Sequence, residues 1–212
     1  MTIRVIRTEA GTLIHSPRSY DFRLALRSLG RERALRERLV RLAGIEPGDR
    51  VLDVGCGTGT LAIAAKRRTG ATGSVDAVEP AGEMVARARA KARRSGLDIH
   101  FHEATAQALP FADASFDVVL CTLVLHQLPH EGIHEAAAEM RRVLAPGGRL
   151  LVANIDSADP GNQRRTPHSH GNFDGSRIGP LLERTGLEVV DSGEVPFRLR
   201  RFERLLYVVA VG

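Results

Sequence analysis

The sequence predicts an α/β protein built on a mainly parallel sheet with helices on both faces. Three observations carry that prediction. From Val51 onward, short apolar runs alternate with stretches of helical period. The intervening helices are long enough to cross from one parallel strand to the next. The first apolar run, "VLDV", ends in a turn with glycine at every second position, Gly55, Gly57 and Gly59. In such folds ligands bind beyond the carboxyl ends of the strands, near the point where the strand order reverses.

The elements follow in order. Residues 1–22 form a poorly defined leader, and 23–43 form one helix in which Leu24, Leu35, Leu39 and Leu42 share a buried side. "GIEPGDR" is a turn broken by Pro47 and Gly48. Then come strand "RVLDV", helix "TLAIAAKRRT" ending at Gly70, strand "SVDAVE", and helix "GEMVARARAKARRSG" ending at Gly96. A third strand, "DIHFHEA", precedes a fourth running from Phe116 to Cys121. Helix "EAAAEMRRVLA" is closed by "PGG" before strand "RLLVANI". Helix "RIGPLLERTG" and strands "LEVVDSGEV" and "RFERLLYVVAV" complete the chain. This divides it into a leader and lid helix over 1–45 and a ligand-binding domain over 46–212, with a substrate-covering insertion at about 157–176.

Composition narrows the function classes. With 212 residues, 43% hydrophobic and 26% charged, the chain suits one globular domain with a full core. No apolar run approaches the roughly 20 residues of a membrane span, and the N-terminus lacks the pattern of a signal peptide. Two cysteines, Cys56 and Cys121, lie far apart and in no metal-type spacing, which fits a reducing cytoplasm. Residues 1–50 hold eleven arginines against six acids, whereas the rest of the chain is balanced. With few aromatics and with Arg and Glu alternating in "GRERALRERLVRL", the excess reads as the solvated face of a helix.

The glycine turn separates several ligands. A dinucleotide fingerprint has G-x-G-x-x-G and a triphosphate loop ends in Gly-Lys-Ser/Thr. Here the pattern is G-x-G-x-G with Asp53 two residues ahead of it, so neither matches. "VLDVGCGTG" instead resembles the first motif of the class I S-adenosylmethionine methyltransferases. Four further stretches resemble that family in the right order: "VDAVEP", "EATAQALPFADASFDVVLC", "LVLHQLP" and "RRVLAPGGRLLVANI". Together they span about residues 50–155 and are most similar to the ubiquinone/menaquinone-biosynthesis-type enzymes.

The resemblance implies a seven-stranded Rossmann-like sheet whose last strand is antiparallel. It also implies S-adenosylmethionine as cofactor, S-adenosylhomocysteine as product, and a small-molecule methyl acceptor. By the same resemblance Asp53 orients the turn and helps hold the methionine ammonium, while Gly55, Cys56 and Gly57 pass close to the methionine part. Glu79, followed by Pro80, accepts both ribose hydroxyls, a task suited to a carboxylate. Met84 packs on the adenine, Ala106 offers a backbone N–H to it, and Cys121 and Thr122 line the methionine end. Tyr20 resembles leader tyrosines that close over the cofactor. Thr105 stands where related sequences often carry an aspartate. A neutral hydroxyl there bonds the adenine amino group more weakly than a charge, and Gln107 is a second candidate for the contact.

Histidine offers the candidate chemistry. His126 follows the fourth strand, where the acceptor approaches, and imidazole suits proton transfer near neutrality. His168 and His170 lie in the insertion as candidate acceptor contacts. His130 and His134 sit one helical turn apart, a spacing also common on solvated faces; no metal site is expected. Two further readings compete with a small-molecule methyltransferase. A nucleic-acid methyltransferase acting on exocyclic nitrogens carries Asn/Asp-Pro-Pro-aromatic after the fourth strand, and "CTLVLHQL" has no such stretch. A non-catalytic cofactor-binding module is the other.

Overall fold

The computed structural model describes residues 5–8, 11–27, 31–156, 173, 175–195 and 204–212. Its centre is a seven-stranded sheet in the order β5-β4-β3-β6-β7-β9-β8. The strands are β3 (Arg50–Val54), β4 (Ser74–Val78), β5 (His100–His102), β6 (Phe116–Thr122), β7 (Leu144–Asp156), β8 (Glu188–Glu194) and β9 (Arg204–Val211). β3 pairs parallel with β4 and β6, β4 with β5, and β6 with β7. β9 runs antiparallel between β7 and β8. The expected sheet is therefore present, with the final strand reversed.

The apolar alternation explains the layers. In a strand, neighbouring side chains point to opposite faces. Val118 and Leu120 join one core with Leu35, Leu39, Leu61, Val85 and Leu151, beneath α2 (Glu32–Leu42), α3 (Thr60–Thr69) and α4 (Gly82–Arg94). Val119 and Cys121 join the other with Ile133, Met140, Leu150, Ile178 and Leu182, beneath α5 (His130–Val143) and α6 (Ile178–Glu183). A strand buried on both faces reads as a continuous apolar run, as "DVVLC" does.

The leader departs most from expectation. Residues 5–14 form a hairpin, β1 (Val5–Thr8) and β2 (Gly11–Ile14), rather than an undefined tail. The single helix expected over 23–43 is two, α1 (Pro17–Arg27) and α2, which starts at Glu32 after the non-helical Arg31. The Leu periodicity hid that boundary. On α2, Leu35 and Leu39 are buried and Leu42 partly so; the side chain of Leu24 lies outside the described set.

β7 is also longer than expected. The helix ends at Val143, ahead of Pro146 and the two glycines, and strand pairing begins at once with Leu144 opposite Phe116; the register then shifts between the Phe116 and Val118 pairings. The Gly147 N–H donates to the Gly212 carbonyl at 2.7 Å, which ties this turn to the chain's last residue.

The central strands should carry the stability. Leu151 is fully buried, and truncation at such a site costs about 2–5 kcal/mol. Leu151→Ala should lower the thermal midpoint by roughly 4–20 °C at about 2–4 °C per kcal/mol. Val190→Ala, 52% exposed on the edge strand β8, should change it by less than about 2 °C. Differential scanning calorimetry of both variants checks the contrast.

Candidate active site

The strand order reverses at β3, since β4 and β5 lie to one side and β6 to the other. The carboxyl ends of β3 and β6 therefore flank a crevice, and the glycine turn leaves β3 at its rim. Gly55, Gly57 and Gly59 have φ of 69°, 55° and 78°. Left-handed backbone of this kind costs other residues roughly 1–2 kcal/mol each. At Gly55 space forbids a side chain too, since a Cβ would come within 2.3 Å of Val124; a Cβ on Gly57 would make ordinary contact with Met84 and Tyr20.

The turn is fastened to the end of β4. The Val78 carbonyl accepts from the Gly55 and Cys56 N–H groups, both at 2.9 Å. The Glu79 carboxylate accepts from Gly57 N–H and from Ala81 N–H, each at 3.1 Å. Burial raises the Glu79 carboxyl above its ordinary value, and the Ala81 and Gly57 N–H groups oppose that shift. Each of its oxygens takes one backbone bond and can accept another.

Asp53 lies beneath the turn, with Oδ2 buried and without a partner among the described residues. Burial lifts its carboxyl to about 7, against the opposing charge of Arg36 and the Ala62 N–H. Arg36 is itself buried, its Nε donating to Thr60 Oγ1 at 3.1 Å.

One cleft gathers most of the residues expected at the site. It is lined by Tyr20, Gly55, Gly57, Glu79, Pro80, Met84, Thr105, Ala106, Gln107 and Thr122. Asp53, Cys56 and Cys121 are not in its wall. Cys56 and Cys121 face the core, where burial raises both thiols, Cys121 to about 12. A neutral, buried thiol is a filler rather than a nucleophile. His126 also stands outside the wall, half-buried, with Nδ1 at 2.8 Å from Asn154 Oδ1. His130 and His134 meet edge to face on α5, with ring centroids 5.3 Å apart. His168 and His170 lie outside the described residues.

The cleft wall also holds residues the sequence reading missed: Gly11, Thr12, Leu13, Leu123, Val124, Gln127 and Leu128. Leu123 has φ of 61°, unusual for a branched residue. Its N–H donates to the Ala153 carbonyl at 2.8 Å, and Gln127 Nε2 donates to its carbonyl at 2.8 Å. Those bonds hold the bend that turns β6 into the cleft. The apolar string after the fourth strand could have flagged Leu123 and Val124. Nothing local marks the hairpin or buried Arg36 within an Arg/Glu-rich helix.

The leader roofs the cleft and is latched to α4. His15 Nδ1 donates to Glu83 at 2.6 Å. Asp21 accepts from Lys91 at 2.7 Å, Arg87 at 3.1 Å and Thr58 Oγ1 at 2.6 Å. Glu83, Arg87 and Lys91 are spaced four apart and so lie along one face of α4. Burial works against the charge on Asp21, but the bonds from Lys91 and Thr58 outweigh it and hold the carboxyl below its ordinary value. Tyr20 follows the latch down: its ring lies 3.8 Å from the position of a Cβ on Gly57.

Comparison with known proteins gives this geometry a family. Residues 51–148 match the methyltransferase domain model. The chain is 33% identical over 163 residues to the 2-phytyl-1,4-naphtoquinone methyltransferase of Trichormus variabilis, covering 76% of this chain and 69% of that one. It is 42% identical over 133 residues to the demethylmenaquinone methyltransferase of Thermus thermophilus, covering 63% and 59%. An Aquifex aeolicus SAM-dependent methyltransferase shares the fold, with a TM-score of 0.73 over 92% of this chain and 97% of that one at 22% identity. The chain belongs to the class I S-adenosylmethionine-dependent methyltransferases, in their ubiquinone/menaquinone-biosynthesis-type group. It spans about half the length of most curated relatives it matches.

The family's cofactor is S-adenosylmethionine, and the residues present fit it. Glu79 has acceptor capacity to spare, buried Asp53 Oδ2 awaits a donor, and Gly55 and Gly57 bring bare backbone to the cleft wall.

Because the latch centres on one carboxylate, Asp21→Asn should loosen the lid without touching the sheet. Hydrogen bonds to charged groups contribute about 1.5–3 kcal/mol. Hydrogen exchange over residues 17–27 should speed up about tenfold or more, while β3, β6 and β7 stay protected. Wild-type lid protection should likewise persist above the ordinary carboxylate pKa of about 4. It should fade as pH falls through Asp21's lower folded value.

Proposed function

We propose that this chain transfers a methyl group from S-adenosylmethionine to a small-molecule acceptor of the reduced-quinone class. The observation that carries the reading is the cradle at the end of β4, where a buried carboxylate and two left-handed glycines, Gly55 and Gly57, converge on one cleft. Relatives named for naphthoquinone and menaquinone substrates support the acceptor class. The apolar Leu13, Leu123, Val124 and Leu128 in the cleft wall suit an aromatic acceptor beside the cofactor. No segment resembling the exocyclic-nitrogen motif follows β6, which leaves the nucleic-acid reading without support. Among the described residues, no helix is long and apolar enough to cross a membrane.

The roles follow from chemistry. S-adenosylmethionine, when bound, supplies a methyl group activated by a cationic sulfur. Glu79 accepts the ribose hydroxyls, and Asp53 pairs with the methionine ammonium beneath the turn. Met84 packs against the adenine, with Thr105, Ala106 and Gln107 at its polar edge. Tyr20 and the hairpin exclude water from the cleft. His126 is the base that takes the acceptor's hydroxyl proton, and the protein's main contribution is alignment.

Isothermal titration with S-adenosylhomocysteine tests the cofactor half. Glu79→Ala should weaken binding at least about thirtyfold, and unchanged affinity would refute the cradle. Binding should also depend on pH. A cation at Asp53 favours its ionised form, so below about 7 binding must expel a proton. Affinity should therefore fall roughly tenfold per pH unit below that value. A flat profile from pH 5.5 to 8 would remove Asp53 from the ammonium site.

The acceptor half is tested with a reduced 2-prenyl-1,4-naphthoquinone and labelled S-adenosylmethionine. Label should appear on the ring carbon or hydroxyl oxygen, assigned by mass spectrometry. A protein that binds S-adenosylhomocysteine yet leaves this probe unlabelled would overturn the acceptor class.

A further inference from the structure

The lid helix α1 leaves two large apolar side chains in solvent. Four such side chains are exposed among the described residues, and three of them, Ile6, Phe22 and Leu26, belong to the leader. Phe22 and Leu26 are 62% and 50% exposed. They stand four residues apart on α1 and so project from one ridge of the helix. Arg18, also exposed, stands four residues ahead of Phe22 on the same ridge. Elsewhere on the helix Ser19 is buried, Asp21 is latched to α4 and Tyr20 lines the cleft. One helix therefore meets the cleft with Tyr20 and the solvent with Phe22 and Leu26.

The segment that carries this ridge is basic. Residues 1–31 hold six arginines against two acids, Glu9 and Asp21. Asp21 is already paired with Lys91 and Arg87 of α4. An anionic lipid surface is the chemical complement. Its phosphates pair with arginine, and the boundary between headgroups and acyl chains takes up phenylalanine and leucine. A second copy of the chain fits less well. A stable protein interface needs about 800 Å² on each partner, whereas one buried aromatic side chain supplies about 150–250 Å². A symmetric pair would also bring two basic leaders together.

We propose that the outer ridge of α1, formed by Arg18, Phe22 and Leu26, docks on the surface of an anionic lipid bilayer and brings the cleft beside the membrane. Phe22 and Leu26 enter the headgroup boundary, and Arg18 pairs with a lipid phosphate. The attachment is weak and reversible, because two side chains bury little apolar area. The docking rests on the surface alone. Its use, the passage of a lipid-soluble quinol from the bilayer to the cleft under Tyr20, rests on the proposed acceptor class.

Co-sedimentation with vesicles of equal parts phosphatidylglycerol and phosphatidylcholine tests the docking, with no cofactor or acceptor present. Wild type should partition onto these vesicles at least about tenfold better than onto pure phosphatidylcholine. Phe22→Ser/Leu26→Ser should lower the partition coefficient at least about tenfold, and Arg18→Ser about fivefold. Wild type that stays in the supernatant, or that partitions no better than the double variant, would overturn the proposal. So would a wild-type dimer in sedimentation velocity that the double variant dissolves, since the ridge would then belong to a second copy. The chain has no tryptophan, so Phe22→Trp places a single indole on the ridge and does not rely on the double variant folding. Its emission should shift to the blue on anionic vesicles and be quenched by acyl-brominated lipid. Emission unmoved by vesicles that bind the protein would also overturn the proposal.

Turnover separates the docking from the acceptor. With the reduced 2-prenyl-1,4-naphthoquinone embedded in anionic vesicles, the double variant should lose at least about fivefold in kcat/KM relative to wild type. With the same probe dispersed in detergent the two proteins should agree. Equal rates on the embedded probe would refute the use of the docking. Wild type that docks yet methylates neither form of the probe would count against the acceptor class and leave the docking standing. Wild type that methylates the dispersed probe but binds no vesicles would keep the acceptor class and refute the docking.

Discussion

The site depends on how the glycine turn is fastened from the side. A turn of left-handed residues has little to hold its own shape. Here the last carbonyl of β4 takes two of its N–H groups, and the next residue, Glu79, takes a third. Neighbouring crossover connections are thus locked together at the point where the sheet changes direction. The carboxylate that secures the turn also faces the cleft, so scaffold and ligand contact share one side chain. Its raised proton affinity is the cost of that dual use. Burial disfavours the charge, and the Ala81 and Gly57 N–H groups, with His15 nearby, offset part of that.

A second layer of charge lies lower. Asp53 and Arg36 are both buried around the start of α3. A lone buried charge is costly, and partial pairing recovers part of that cost. The unmet acceptor of Asp53 is what the proposed pairing with the methionine ammonium would satisfy. Apolar side chains fill the space around it, and Cys56 and Cys121 act there as small fillers.

Much of the sheet was legible because its signals are local. Buried parallel strands such as Val118–Cys121 need apolar side chains on both faces, and glycines mark the turns that reach the ligand. Gly55, Gly57, Glu79, Met84 and Ala106 were placed at the site by the family resemblance rather than by local pattern, and they do line one cleft. The leader was not legible. Its hairpin is four residues a side, and its helices share a Leu period that concealed the boundary before Glu32. Leu123 bends because of bonds to Ala153 and Gln127, and no residue type announces such a bend. Arg36 and Asn154 are buried by elements distant in sequence, so their partners could not be read from neighbours.

The lid has a property its contacts imply. α1 buries Ser19 and half-buries Tyr20, but it leaves Phe22 and Leu26 at 62% and 50% exposure. Among the described side chains, its hold on the domain comes from the Asp21 ion pairs and the packing of Ser19 and Tyr20. Those pairs are largely shielded, with side-chain exposures of 17–30%, and shielded charges are screened by salt much less than surface ones. The roof is thus held by a small polar cluster that behaves as part of the interior rather than as surface charge.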